Sequence, residues 1–206
     1  MRPMKSLILA VAAMVCLLPA FGADAAPKKK YHFKLTKVLT KDEVKPEVAK
    51  EAQPRVEAVF QKALESHPQL VLALEGAPAD PEAGNGQPFR KYLAKKGIAG
   101  AYLVTVEVTE ASIEIVPLED KKGAQRIVVS VAIHVLGETI PGRTMGFTGD
   151  GRATVKQEIG MKIRDKDRQF TWDSAAENAV AQALEKCFTK LATPPPPPAK
   201  KPAKKK

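Results

Sequence analysis

Three histidines, two cysteines and a scatter of carboxylates are the residues of this 206-residue chain that could do chemistry. His32, His67 and His134 are far apart, and none belongs to an H-x-x-H or H-E-x-x-H pattern, so the spacing does not point to zinc. No G-x-S-x-G elbow presents a serine nucleophile. The acidic runs Asp165 to Asp167 and Glu110 to Glu114 lack calcium-loop spacing and are expected in loops or on solvent faces. Gly84-Asn85-Gly86 has neither Walker nor Rossmann spacing. The expectation is a non-enzymatic protein with no metal and no cofactor; a hydrolase would need carboxylates assembled only in space.

Cysteine placement depends on the N-terminus. Arg2 and Lys5 precede an apolar run from Leu7 to Leu18 and an Ala23-Asp24-Ala25 site, the pattern of a secretory signal peptide. The run is too short for a membrane span, which needs ~20 apolar residues. Residues 1–25 are therefore read as a signal cleaved near Ala25, giving a periplasmic or extracellular protein with no transmembrane helix. Cys16 lacks the flanking residues of a lipidation site and leaves with the signal. Cys187 then stands alone, within an apolar stripe, and is expected to be a buried core residue.

The net charge is +10, but it resides in the ends. Lys28, Lys29 and Lys30 lie in a basic N-terminal segment (26–30). Lys200, Lys201, Lys204, Lys205 and Lys206 lie in a tail (193–206) behind Pro194 to Pro198. Between Tyr31 and Thr193 there are 23 bases and 22 acids. A nucleic-acid reader would carry its basic patch and stacking aromatics on the fold itself. Chromosomal nucleic acid is thus not the expected partner. The tail reads as a polyproline II spacer of roughly 15 Å bearing a cationic brush. The eight lysines are the candidate contacts to polyanions, and lysine's point charge suits diffuse attraction over shaped recognition.

The middle, 31–192, reads as one domain. Tyr31 to Thr40 alternates as a strand, with His32 facing outward. Apolar residues from Val44 to Leu64 recur at helical spacing; Pro46 and Pro54 interrupt them, so the secure helix is Pro54 to Ser66 with a turn or kinked extension before it. Leu70 to Leu74 suits a short buried strand, Glu75 to Gln87 an exposed loop, and Pro88 to Gly97 a helix with a left-handed glycine stop. Ala101 to Val108, Ser112 to Leu118 and Arg126 to Ile140 read as strands, the last the longest. Arg143 to Gln157 would be another, broken at Gly149-Asp150-Gly151 by a hairpin. His134 should be solvent-facing or hydrogen-bonded. Ser174-Ala175-Ala176-Glu177 fits a capping box opening a last helix, with Ala176, Ala179, Val180, Ala183, Leu184, Cys187, Phe188 and Leu191 on one stripe. The fold class is α+β: a mixed or antiparallel sheet with two to three helices, one of them a long C-terminal amphipathic helix.

LVLAL (Leu70 to Leu74), KYLAKKGIAGAYLVTVEV (Lys91 to Val108) and SAAENAVAQALEKCFTKL (Ser174 to Leu191) resemble the small periplasmic α/β modules of curli-secretion and penicillin-binding-protein-activator lipoproteins. There a leucine-containing helix leads through glycine into a strand. The resemblance implies an accessory or scaffold protein of the bacterial cell envelope and brings no catalytic residues. The chain lacks the lipidated cysteine, so its lysine ends would supply electrostatic retention. The partner would be an envelope protein or an anionic envelope surface, polysaccharide or lipid headgroups. The alternative is a secreted matrix or coat protein binding polysaccharide or extracellular DNA.

Overall fold

A computed structural model describes residues 29–78, 86–119, 121 and 123–193. The signal segment and all of the tail after Thr193 lie outside the described residues. Four strands and three helices follow in the order β1 (Lys30–Thr40), α1 (Pro46–Ser66), α2 (Gln87–Lys95), β2 (Ile98–Pro117), β3 (Gln125–Thr139), β4 (Met145–Ile159) and α3 (Asp165–Ala192). The sheet order is β1-β2-β3-β4, so the α+β expectation holds. β1 and β2 run parallel, which requires a crossover, and α1 and α2 lie within it. The other two pairings are antiparallel. No helix among the described residues is long and apolar enough to cross a membrane.

The alternation of the strands fixes one core face. Val104, Val106 and Val108 of β2 and Ile127, Val129, Val131, Ile133 and Val135 of β3 are buried, and α1 and α3 cover them. Burying each such side chain contributes about 1.5–3 kcal/mol. A smaller core joins α2, through Phe89 and Leu93, to Ile98, Ala101 and Ile140. Gly97 stops α2 at φ 68°, in the left-handed region expected of it.

α1 is one continuous helix from Pro46, with Pro54 inside it, in place of a helix beginning at Pro54. Ala52, Val56, Phe60 and Leu64 are buried at helical spacing. That burial outweighs the ~3 kcal/mol cost of an interior proline, whose missing bond would run to Lys50, an exposed residue. Leu70 to Leu74 is not a buried strand. Only Leu70 forms a bridge, beside Tyr31, and Leu72 and Ala73 are exposed.

β2 joins two expected strands into one, and at 20 residues it is the longest in the sheet. A bulge between Val108 and Glu110 shifts the alternation, so that Ala111, Ile113 and Ile115 continue the inward face of Val108. β4 runs straight through Gly149-Asp150-Gly151 without a hairpin, pairing with Val135, His134 and Ile133. A Cβ at Gly149 would meet the Ala183 carbonyl and Cys187 Sγ, and one at Gly151 the Ala179 carbonyl. These glycines admit α3 against the strand; they do not turn the chain.

α3 starts at Asp165, so Ser174 and Glu177 lie mid-helix and form no cap. Asp165 and Asp167 occupy its first turn, where the helix dipole favours carboxylates. Thr171 and Trp172, outside the expected stripe, are fully buried.

Candidate functional site

Among the lysines marked by the sequence, Lys28, Lys200, Lys201, Lys204, Lys205 and Lys206 lie outside the described residues. Lys29 and Lys30 are exposed at the start of β1. The structure extends this basic segment into the fold, because Lys34, Lys37 and Lys41 are exposed too. Lys34 and Lys37 stand beside Leu103 and Thr105 on the sheet face opposite α1 and α3. A bulge at Thr36, whose Oγ1 donates to the Val104 carbonyl (2.8 Å), places Lys37 there and turns Val38 into the core. In the sequence Lys34 is simply a polar alternate of the strand, and Lys37 falls in the apolar phase until the bulge shifts it, so these lysines carry no signal apart from their number.

The histidines serve structure. His32 alternates away from Tyr31 and Phe33, yet it is only 7% exposed. The chain after α1 runs along the β1 edge: Tyr31 N–H donates to Gln69 O and Val71 N–H to Tyr31 O, both at 2.8 Å. His32 Nδ1–H then donates to the Val71 carbonyl at 2.8 Å. Burial pushes the His32 pKa below its ordinary value. His67 stacks on Phe188 at 4.2 Å. His134 stands in a cross-strand row between Glu107 and Asp150, and Nδ1 is 2.5 Å from Asp150 Oδ1. That hydrogen bond holds the Asp150 carboxyl below the usual range. Glu110 pairs with Arg152, and Asp167 with Arg164 through two bonds of 2.7 and 2.9 Å. No group of three His, Cys, Asp or Glu side chains among the described residues is placed to hold a metal ion. Cys187 is fully buried, and burial pushes its thiol up to about 12.

An open groove of about 700 Å³ lies between α1 and α3. Two ion pairs span the helices here: Arg55 bonds Asp173 at 2.7 Å, and Arg168 Nε bonds Glu51 at 3.1 Å. This network ties α1 to α3. A slot of about 320 Å³ beside β1 is lined by Phe33, Leu35, Gln61, Leu64 and Leu72.

The sheet has a further unoccupied feature. β1 ends at Thr40 beside Val108, and Lys41 N–H donates to the Val108 carbonyl (3.0 Å), but β2 continues to Pro117. Among the described residues, β2 beyond the bulge is laddered to β3 alone. Ile115 is 48% and Val116 42% exposed there.

No family model matches this chain, and no curated protein matches it. Among solved structures, it is similar to a protein from Xanthomonas campestris at 8% identity and a TM-score of 0.46, over 81% of this chain and 89% of that one. It is similar to the rare lipoprotein B of Shewanella oneidensis at 9% identity and a TM-score of 0.35, over 74% and 92%. A lipoprotein of Neisseria meningitidis is similar at 13% identity and a TM-score of 0.34, over 74% and 99%. Bacterial lipoproteins are thus among its coarse structural neighbours.

Proposed function

We propose that this protein is an exported, non-enzymatic accessory or scaffold protein of the bacterial cell envelope, held at an anionic surface by its lysine-rich ends. The observation that supports this most is the continuation of the N-terminal lysines into exposed positions of an edge strand, Lys30, Lys34 and Lys37. Each lysine near an anionic membrane contributes about 1 kcal/mol, within about a Debye length of ~8 Å. The same lysines deter another strand from pairing with the β1 edge. Retention and solubility therefore draw on the same residues.

The test is sedimentation of the chain from Ala26 with phosphatidylglycerol vesicles across a salt series. Binding should be strong at low salt and fade as salt rises. Lys34→Gln with Lys37→Gln should weaken it, and deletion of 194–206 should weaken it further. A chain that ignores anionic vesicles at low salt would sink the proposal. Unchanged binding by the Lys34, Lys37 variant would remove the folded domain from it and leave only the ends.

A further inference from the structure

The phase of the half of β2 that pairs with β3 alone among the described residues can be read from its hydrogen bonds. Leu118 N–H donates to Ala124 O across the β2–β3 turn (2.9 Å), so even-numbered residues from Glu110 to Leu118 turn their backbone groups toward β3. Ala111, Ile113 and Ile115 therefore turn theirs to the open edge. Pro117, which has no N–H to offer, takes the last edge position. The inward side chains of those three residues are apolar, whereas the outward ones are Glu110, Ser112, Glu114 and Val116.

We propose that a second copy of this chain adds to this edge, antiparallel, with the two Ile113 residues opposite each other. The sequence of the edge is self-complementary in that register and in no neighbouring one. Centred on Ile113, Ala111 meets Ile115, Ser112 meets Glu114 and Glu110 meets Val116, so no two charges of one sign are opposed. All three edge-facing residues exchange both backbone bonds, about six in total. Centred on Ser112, Glu110 would face Glu114; centred on Glu114, that residue would face itself. Like charges directly opposite destabilise a pair. The chosen register also continues the Ala111, Ile113, Ile115 row into the other copy and covers the half-exposed Ile115. The two-fold axis crosses the sheet at Ile113 and joins two four-stranded sheets into one. This inference does not depend on the lysines.

Ser112 and Glu114 lie on the sheet face opposite α1 and α3, so they can be changed without touching the main core. The experiment measures mass by sedimentation equilibrium over a concentration series, with a dimer expected at about micromolar concentrations. Ser112→Glu places like charges opposite each other twice per dimer and should weaken association about tenfold. Ser112→Lys creates two opposite-charge pairs and should strengthen it. The swap Ser112→Glu with Glu114→Ser should restore it. In oxidising buffer, a mixture of Ser112→Cys and Glu114→Cys chains should give a cross-linked heterodimer, with far less from either alone. A chain that stays monomeric at the highest concentration overturns the proposal. So does a dimer whose association is the same in Ser112→Glu, in Ser112→Lys and in the unchanged chain.

Discussion

The position that a Cβ would take on Gly151 of β4 is already occupied by the carbonyl oxygen of Ala179 in α3. Strand and helix meet here backbone to backbone, and Ala175, Ala176, Ala179 and Ala183 are the small residues that permit it. Gly151→Ala should cost about 1–3 kcal/mol, because neither partner is a flexible side chain that could move aside. Gly149→Ala should behave similarly, against Ala183 and Cys187. Gly160→Ala, with nothing near its would-be Cβ, should change stability by less than about 0.5 kcal/mol. Urea midpoints at constant m-value are the measurement. Equal midpoints for Gly151→Ala and Gly160→Ala would refute the close approach.

Cys187 faces the same junction, fully buried with its thiol pushed up to about 12. At pH 8 almost no thiolate is present, and the reagent has no path to it. Labelling of the folded chain should be slow and limited by opening, and it should become fast in denaturant. A disulfide-linked dimer in freshly purified protein would contradict this placement.

Local periodicity made β1, α2, β3 and the Ala176-to-Leu191 stripe legible in the sequence, because each is decided by its own alternation or its own apolar face. Gly149-Asp150-Gly151 misled for the opposite reason: its glycines answer to α3, thirty residues away. Ser174 to Glu177 has the letters of a cap, but Thr171 and Trp172 carry the buried stripe upstream of it, so the helix begins at Asp165. His32 alternates as read, and its burial comes from Val71, which no local pattern reveals. The open half of β2 was invisible because it depends on where β1 stops in register. Lys34 was visible only as a polar alternate, and Lys37 reaches the same face only through the bulge at Thr36.

Pro54 shows tertiary packing overriding propensity. It is exposed and interior to α1, whereas Val56 and Phe60 beside it are buried. Pro54→Ala restores a donor toward the Lys50 carbonyl and relieves the ring's clash. The gain is partly offset by a freer unfolded chain. Stability should rise by about 1–2 kcal/mol, read from thermal or urea unfolding. A loss would mean that α1 is bent at Pro54 to fit the sheet.

The pH dependence of stability should fall in two steps, each with its own residues. His32 has its pKa lowered chiefly by burial, against the Val71 bond that raises it, with Lys34 lowering it further. Below an ordinary histidine value near 6.5 the unfolded chain takes up a proton that folded His32 resists. Stability therefore declines as pH drops from about 6.5 to the lower folded value, then levels. Asp150 and Asp167 are shifted in the same direction for a different reason: bonds from His134 and Arg164 hold their carboxyls below the usual range. Their contribution is whole above an ordinary aspartate value near 4 and is lost as pH falls through the folded values. Urea midpoints between pH 3 and 8 would resolve both steps. His32→Gln keeps a donor for the Val71 carbonyl and removes the titration, so it should flatten the upper step and leave the lower. Asp167→Asn should shrink the lower step alone. An upper step of the same size in His32→Gln would show that His32 is not the buried group responsible.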